Sequence, residues 1–475
     1  SDAVARGRRG GPFAYIVPPD QRNPREAVEM VNTLRKGGVE VHRAERAFRA
    51  GGERWPEGSY VVLAGQAFRP HLMDLLEKQV YPDMRVYPDG PPDVPYDISG
   101  WTLPIQMHVR TVRVDEPFEA EGMEPVDAAR VWPGSVVGEG RWGWALAARS
   151  NAAAIAVNRL LGEGARVGVA PDGVLAGDRE MGRGAYVIRA EGVTVDRLRA
   201  LAADLGVDFV GMRREPRGQL ITMETPRIGL YKSWQANMDE GWTRWVLDTY
   251  EFPVDTLHDA EIRTADLSRY HAIILPDQRA ESIMHGYRPG SRPAEITGGI
   301  GLEGMTRLKQ YVEAGGRLIA FDGATELLIE QLGLPVRNVV EGLPSERFFV
   351  PGTLVGLTVD EDDPLGWGMP EEAAAFFSRS AAFDATGDAV EIVARYAEDE
   401  LLLSGWALGG ERYLAGRGAL ARVPVGAGDV ILFGFRPQFR GQPRGTFKLL
   451  FNALHGATLT ATQQADGTPE EGRGG

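Results

Sequence analysis

Cysteine is absent from this sequence of 475 residues, and histidine occurs only seven times. The lack of cysteine excludes disulfide bonds, cysteine-ligated zinc and every catalytic thiol, although it does not assign a compartment. The sequence also lacks any run of about 18 apolar residues, the length that a membrane-spanning helix needs. We therefore expect no membrane insertion.

Basic residues are in the minority. The chain has 52 Lys and Arg against 66 Asp and Glu, a formal net charge of −14. Nucleic-acid-binding surfaces are usually basic, so we expect no nucleic-acid partner. With 43% apolar residues, the chain has enough material for two or three globular domains.

An internal repeat is present at a constant offset of 126 residues. The matching positions in the first copy are Asn32, Leu34, Gly38, Val41, Gly58, Tyr60 and Val61, and in the second copy Asn158, Leu160, Gly164, Val167, Gly184, Tyr186 and Val187. The repeat predicts a duplicated α/β domain over 11–222, with copies at about 12–90 and 138–212. We expect the two half-units to share one sheet with helices on both faces. Between them, a proline-rich stretch (91–104) predicts an ordered, extended connection.

A stronger α/β alternation begins near residue 226. Short apolar runs at 227–231, 271–275, 317–321 and 429–433, separated by amphipathic segments, predict parallel strands buried on both faces. We predict a doubly wound domain over 223–460. The flanking segments are predicted to be a flexible linker (1–10) and a disordered tail (461–475).

Two groups of segments carry a resemblance to a known family. The first comprises Tyr15–Pro18, Asp20–Gln21, Tyr81–Asp83, Pro95–Asp97 and Trp101–Pro104, and the second is Ile228–Leu275 with Ser233–Trp242 inside it. The first group resembles the region downstream of the peptidase domain in large bacterial carboxypeptidase A-like zinc metallopeptidases. The second resembles the flavodoxin-like, class I glutamine amidotransferase-like domain that ends such proteins. The resemblance implies a secreted or periplasmic parent, with its zinc only in a peptidase domain before Ser1.

The chemistry that these families need is missing from the sequence or weakly indicated. The zinc-type spacing His-x-x-Glu occurs at His42 and Glu45 and at His258 and Glu261, and both matches also fit ordinary structural positions. An amidotransferase needs a cysteine on the turn after a central strand, but the segment Phe321–Glu326 contains none. We expect Asp322 and Thr325 to cap the following helix there, with a nucleophilic Thr325 as the alternative. We predict no catalytic residues, metal site or cofactor in this chain.

One formal nucleotide motif remains. The glycines Gly299, Gly301 and Gly304 match the dinucleotide fingerprint, but a loop precedes them where the fingerprint needs a strand. We interpret this segment as a surface loop.

Polar residues follow the predicted strands, where open α/β sheets bind ligands. The candidates are Trp234, Gln235, Asn237, Asp239, Glu240, Arg244, Asp277, Gln278, Asp322, Arg436 and Gln438, together with Arg440. Aromatic rings beside carboxylates and amides suit a carbohydrate or a peptide. Three interpretations stay open: a ligand site, an inherited but inactive pocket, and buried structural ion pairs.

The sequence therefore favours a non-catalytic accessory region that supports or targets a zinc carboxypeptidase-like domain, in effect a pseudoenzyme. The alternatives are a processed structural or homo-oligomeric protein and a carbohydrate- or peptide-binding module. Because the chain starts at Ser1 with a basic, Gly-rich segment, we expect a processed fragment whose partner is the parent peptidase domain or copies of itself.

Overall fold

Three successive α/β units make up the chain in the computed structural model, which describes residues 2–459. Both antiparallel and parallel sheets are present, so the predicted mixed α/β class with a parallel sheet is confirmed at that level. No helix among residues 2–459 is long and apolar enough to cross a membrane. The predicted tail at 461–475 lies outside the described residues.

The first unit is built around an antiparallel sheet with strand order β6-β1-β5-β2-β7. Its elements are α1 (Asp2–Arg9), β1 (Ala14–Val17), α2 (Pro24–Lys36), β2 (His42–Ala44), β3 (Phe48–Ala50), β4 (Glu53–Trp55), β5 (Tyr60–Leu63), α3 (Arg69–Leu76), α4 (Leu103–Met107), β6 (Val112–Val114) and β7 (Met123–Pro125). Helix α1 occupies the predicted flexible linker, and a side chain at its Gly7 would meet the Ala64 carbonyl oxygen at 2.3 Å. The linker prediction is therefore wrong for residues 2–9, because close backbone packing fixes this helix against the unit.

The second unit repeats the element order of the first. Its elements are β8 (Val136–Val137), β9 (Gly143–Leu146), α5 (Asn151–Gly162), β10 (Val167–Ala170), β11 (Val174–Ala176), β12 (Arg179–Met181), β13 (Ala185–Arg189), α6 (Val195–Leu205), β14 (Phe209–Met212) and β15 (Ile221–Met223). Hairpin β11–β12 lies at the repeat offset from hairpin β3–β4, and β13 pairs with β9 and β10 as β5 pairs with β1 and β2. Each copy has its own sheet, so the expected single shared sheet is wrong.

The glycines of the repeat have a local cause. Gly58 and Gly184 precede the central strand of each copy with φ of 83° and 72°, in the left-handed region that favours glycine. At Gly184, an added side chain would also meet Trp367 at 2.6 Å. The turn into the central strand thus requires glycine in both copies.

The third unit contains the largest sheet. Its helices and strands are β16 (Ile228–Tyr231), α7 (Met238–Thr249), β17 (Val254–Leu257), α8 (Asp259–Thr264), β18 (Ala272–Leu275), α9 (Ala280–His285), α10 (Gly301–Glu313), β19 (Arg317–Phe321), α11 (Ala324–Leu332), β20 (Val336–Asn338), β21 (Pro351–Val359), β22 (Glu372–Ser378), β23 (Phe383–Ala385), β24 (Glu391–Tyr396), β25 (Leu402–Ser404), α12 (Gly410–Tyr413), β26 (Gly418–Val425), β27 (Gly428–Phe433) and α13 (Phe447–Gly456). Short 3₁₀ helices span Leu267–Arg269, Ala294–Ile296 and Phe439–Gly441.

Five strands of this sheet are parallel, in the order β17-β16-β18-β19-β27. Alternate residues of each strand enter two different cores: Leu230 and Ile274 pack on one face, and Tyr231 and Leu275 on the other. Burial on both faces explains why these strands are continuous apolar runs. The sheet then continues through antiparallel β26-β24-β21-β22, an extension that the sequence analysis did not predict.

A buried polar network joins the three units. Glu26 of α2 is fully buried, and the Arg444 guanidinium lies 2.7 Å from its Oε2. Tyr250 donates its hydroxyl to Glu26, and Asn151 of α5 donates its amide to the same carboxylate at 3.3 Å. Since one carboxylate binds groups from all three units, their relative placement depends on it.

The connection between the first two units packs against the third. The Gln79 backbone donates to the Ser404 hydroxyl at 2.9 Å, and the Ser99 backbone donates to the Pro351 carbonyl at 3.0 Å. The Thr102 and Ser404 hydroxyls are 2.8 Å apart. The segment between these anchors lies beside the carboxyl edge of the parallel sheet, next to the candidate site.

Candidate functional site

The carboxyl ends of the five parallel strands lie at one edge of the sheet. The loops that leave this edge carry the residues predicted from the sequence, after Tyr231, Leu275, Phe321 and Phe433. Parallel pairing in register brings these loops together, although they are far apart in sequence.

Arg436 is the centre of the site. It is 7% exposed, and its guanidinium contacts three carboxylates: Asp239 at 3.3 Å, Asp277 at 3.4 Å and Asp322 at 3.3 Å. The same guanidinium donates to the Ser378 carbonyl at 2.9 Å. Loops after four strands therefore converge on a single positive charge.

Asp322 occupies the turn between β19 and α11. Its φ is 49°, a left-handed conformation that is unusual for a residue with a side chain. The Ser380 hydroxyl donates to its carboxylate at 3.0 Å, and its backbone N–H donates to the Phe433 carbonyl at 2.8 Å. The turn is thus held from both sides while the carboxylate is directed to Arg436.

The predicted capping of α11 by Asp322 and Thr325 is wrong. Gly323 is the N-cap residue and makes no side-chain cap bond. The Asp322 carboxylate bonds Ser380 and Arg436 instead, and the buried Thr325 hydroxyl donates to the Asp322 carbonyl at 2.6 Å. Asp277 accepts from the Gly323 N–H at 3.0 Å, so it partly satisfies the start of this helix.

One guanidinium cannot balance three carboxylates. Burial raises the pKa of Asp322 well above its usual range, the neighbouring Asp277 raises it further, and Arg436 opposes the rise. Burial also raises the pKa of Asp239, again against the effect of Arg436. The cluster therefore favours a proton on one of its carboxyl groups at pH values where exposed aspartates are ionised.

A cleft of about 650 Å³ opens above this cluster. Its floor includes Asp239, Asp322 and Arg436, and segment 94–98 of the inter-unit connection forms one wall. Arg440 fixes that wall through two bonds to Asp97, at 2.7 and 2.8 Å. The polar floor and partly aromatic walls, which include Tyr96, Trp242 and Phe348, suit a small ligand or a short chain.

A second cluster of predicted residues lies outside this cleft. Trp234 stacks on His258 with ring centroids 4.0 Å apart, and Glu240 pairs with Arg244 at 2.7 Å. Arg244 also donates to the Thr256 hydroxyl at 2.9 Å. The structure therefore places Trp234, Glu240 and Arg244 beside β17 and does not bring them to Arg436.

We predict that Trp234→Ala leaves binding in the Arg436 cleft unchanged and lowers the free energy of unfolding by no more than about 1 kcal/mol, since this ring is 39% exposed. Calorimetric titration and urea unfolding of the variant would check both values. Trp242→Ala, which removes a ring that lines the cleft, is the matched comparison and should weaken binding. Equal binding losses in the two variants would contradict the boundary drawn here.

The remaining predicted residues have structural contacts. Asn237 is the N-cap of α7 and accepts from the Asp239 N–H at 2.9 Å. The Gln438 amide donates to the Thr243 hydroxyl at 3.0 Å, and the Gln235 N–H donates to the Ser233 hydroxyl at 3.1 Å. The Oε1 atoms of Gln278 and Gln438 are buried without a hydrogen bond. None of these four predicted residues lines the cleft.

Sequence reasoning missed the residues that the antiparallel extension brings to the cleft. They are Glu326, Asn338, Glu341, Ser378, Arg379 and Ser380. Asn338 donates to Glu326 at 2.7 Å, and burial raises the pKa of Glu326, with Glu341 adding to the rise. No local motif marks these positions, and only the unusual Ser-Arg-Ser stretch after an apolar strand could have drawn attention to 378–380.

The weak motifs have structural explanations. The His258 N–H donates to Glu261 at 3.1 Å at the start of α8, so this His-x-x-Glu match is a helix start. His42 lies in β2, and Glu45 follows that strand on the surface. In residues 2–459, no three His, Asp or Glu side chains are arranged to hold a metal ion. A side chain at Gly299 would meet the Ile283 carbonyl at 2.2 Å, which explains this glycine by close packing.

No protein-family model and no curated protein sequence matches the chain. Solved structures that resemble part of it include a cytoplasmic protein from Salmonella typhimurium, with 14% identity over 50% of this chain and 100% of that chain and a TM-score of 0.33. Others are a putative GMP synthase protein from Thermoplasma acidophilum (10% identity, 49% of this chain, 94% of that chain, TM-score 0.32) and a putative ThuA-like protein from Bacteroides uniformis (14%, 48%, 89%, 0.27). At these TM-scores the similarities carry no argument about activity.

Proposed function

We propose that this chain is a non-catalytic binding module whose ligand occupies the Arg436 cleft. The module serves as an accessory region of a secreted or periplasmic zinc carboxypeptidase-like protein. Its third unit is a flavodoxin-like, class I amidotransferase-like domain. The accessory role, the parent's zinc and the compartment rest on the sequence resemblance, and the cleft supports the binding role.

The observation that carries the proposal is the residue at the turn after β19. An amidotransferase of this type would need a cysteine thiolate there, but the turn holds Asp322. Its carboxylate is buried, bonded by Ser380 and paired with Arg436, so it has no free path to attack a substrate. A fixed polar floor without a free nucleophile favours binding over hydrolysis.

A titration tests the binding role. We expect the purified chain to release neither ammonia from glutamine nor C-terminal residues from peptides, and to bind short peptides or oligosaccharides with micromolar to millimolar Kd. Val94→Trp adds bulk to the cleft wall and should weaken binding about tenfold or more, whereas Val86→Trp, equally exposed on the same connection but outside the cleft, should not. Hydrolysis that Asp322→Asn abolishes, or no binding of any probe, would contradict the proposal.

The accessory role has a separate test in the gene. A His-x-x-Glu peptidase domain with a distant third histidine, encoded upstream in the same reading frame, would support it. A reading frame without such a domain would contradict the accessory role and leave the binding role intact.

One observation favours the alternative of self-assembly. The inter-unit connection exposes several large apolar side chains: Val80, Met84, Val86, Tyr87, Val94 and Tyr96. Exposed apolar groups that lie together are typical of interaction surfaces. Light scattering across protein and salt concentrations tests this alternative, and a monomer under every condition would contradict it.

A further inference from the structure

Arg379 is the most unusual residue that lines the cleft. It follows the last residue of β22 with φ of 55°, a conformation that costs free energy for a residue with a side chain. The side chain is exposed within the cleft lining. Among residues 2–459, the structure gives its guanidinium no hydrogen bond and no ion pair.

The buried cluster fixes the backbone on both sides of Arg379. The preceding Ser378 carbonyl accepts from Arg436 at 2.9 Å, and the following Ser380 hydroxyl donates to Asp322 at 3.0 Å. The Ser378 N–H also donates to the Ser380 hydroxyl at 3.1 Å, across Arg379. The strained turn is therefore determined by the same ion cluster that forms the cleft floor.

The other charges that line the cleft already have partners. Arg436 pairs with Asp239 and Asp322, and Arg440 pairs with Asp97. Glu326 accepts from Asn338 and shares a hydrogen bond with Glu341, which with burial raises the pKa of Glu326 and reduces the negative charge of that wall. Of the charged residues described around the cleft, Arg379 is the one whose charge is left unpaired.

We propose that Arg379 binds a carboxylate of the ligand, so that the cleft takes a carboxylate-bearing molecule; this rests on the proposed binding function. A guanidinium binds a carboxylate through two parallel hydrogen bonds, which fixes the orientation of the ligand. Two sources share this chemistry, the C-terminus of a peptide and an acidic sugar. The carboxyl groups of Glu326 and Glu341 on the same lining disfavour a dianion such as phosphate.

The experiment is a calorimetric titration of the full chain with matched probes. One pair is an N-acetylated alanine tripeptide with a free C-terminus and its C-terminal amide, and the other is trigalacturonate and its methyl ester. We expect the acid of one pair to bind about tenfold or more tightly than its neutral counterpart. The pair that shows the difference identifies the source of the carboxylate.

Two variants attribute the difference to Arg379. Arg379→Gly removes the guanidinium and relieves the positive φ, so we expect a melting temperature at or above that of the parent chain together with loss of the acid preference. Arg214→Gln removes one positive charge from an exposed site outside the cleft and should keep the preference. Equal binding of acids and neutral counterparts, or a preference that survives Arg379→Gly, would overturn this inference while the binding function stands. No binding of any probe would overturn both.

Discussion

Replacing Arg436 with methionine should lower the free energy of unfolding by about 3–5 kcal/mol near neutral pH. The guanidinium is buried and is the shared partner of Asp239, Asp277 and Asp322, so its loss leaves three carboxylates close together without a counter-charge. Urea unfolding followed by circular dichroism measures the change. The loss should shrink as the pH falls, because protonation neutralises the unpaired carboxylates.

Arg440→Met provides the matched control for Arg436. Arg440 also makes a bidentate ion pair in the same cleft, but both partners are partly exposed, so the expected loss is at most about 1 kcal/mol. Similar losses for the two variants would contradict the view that burial, rather than pairing alone, determines the contribution of Arg436.

Lys448→Met should raise the free energy of unfolding by about 2–4 kcal/mol at pH 6, and this gain should vanish by about pH 10.5. Lys448 is buried, donates to Asn452 at 2.6 Å and lies 5.6 Å from the ring centroid of Tyr186. Burial, with Arg22 nearby, lowers the pKa of Lys448 to about 7. Among residues 2–459 no carboxylate pairs with its ammonium group.

The sign of the pH dependence follows from this lowered pKa. Below pH 7 the folded chain must bury a charged ammonium group, so the cost is fully present. Between pH 7 and the ordinary lysine value of 10.5, the unfolded chain holds a proton that the folded chain has released, so stability rises with pH. Urea midpoints at pH 6, 8 and 10 should converge for the parent chain and Lys448→Met. Lys36→Met, at an exposed lysine, should show no such trend, and a constant difference for Lys448→Met would contradict the buried charge.

Short-range patterns predicted the regular elements well. The apolar runs at 228–231, 272–275, 317–321 and 428–433 are strands within one residue of the predicted bounds, because strands buried on both faces must be continuously apolar. The repeat offset also coincides with repeated elements. Its expected shared sheet did not form, because β5 and β13 each pair antiparallel within their own copy.

Long-range placement was harder to predict. Sequence reasoning grouped Asp239, Asp277, Asp322 and Arg436 correctly at one sheet edge, since parallel strands share a carboxyl edge. It could not separate Trp234 from that group, because the direction of a loop side chain depends on packing with His258. Segment 378–380 comes from the antiparallel extension, and no periodicity in the sequence places that extension over the cleft.

A crystal structure with the tightest-binding probe tests the central claim, that the Arg436 cleft binds a ligand without hydrolysing it, most directly. The account predicts an intact ligand above Asp322 and Arg436, with a ligand carboxylate within hydrogen-bond distance of the Arg379 guanidinium. A cleaved ligand or a covalent adduct in the cleft would contradict it, as would a ligand bound elsewhere while the cleft stays empty.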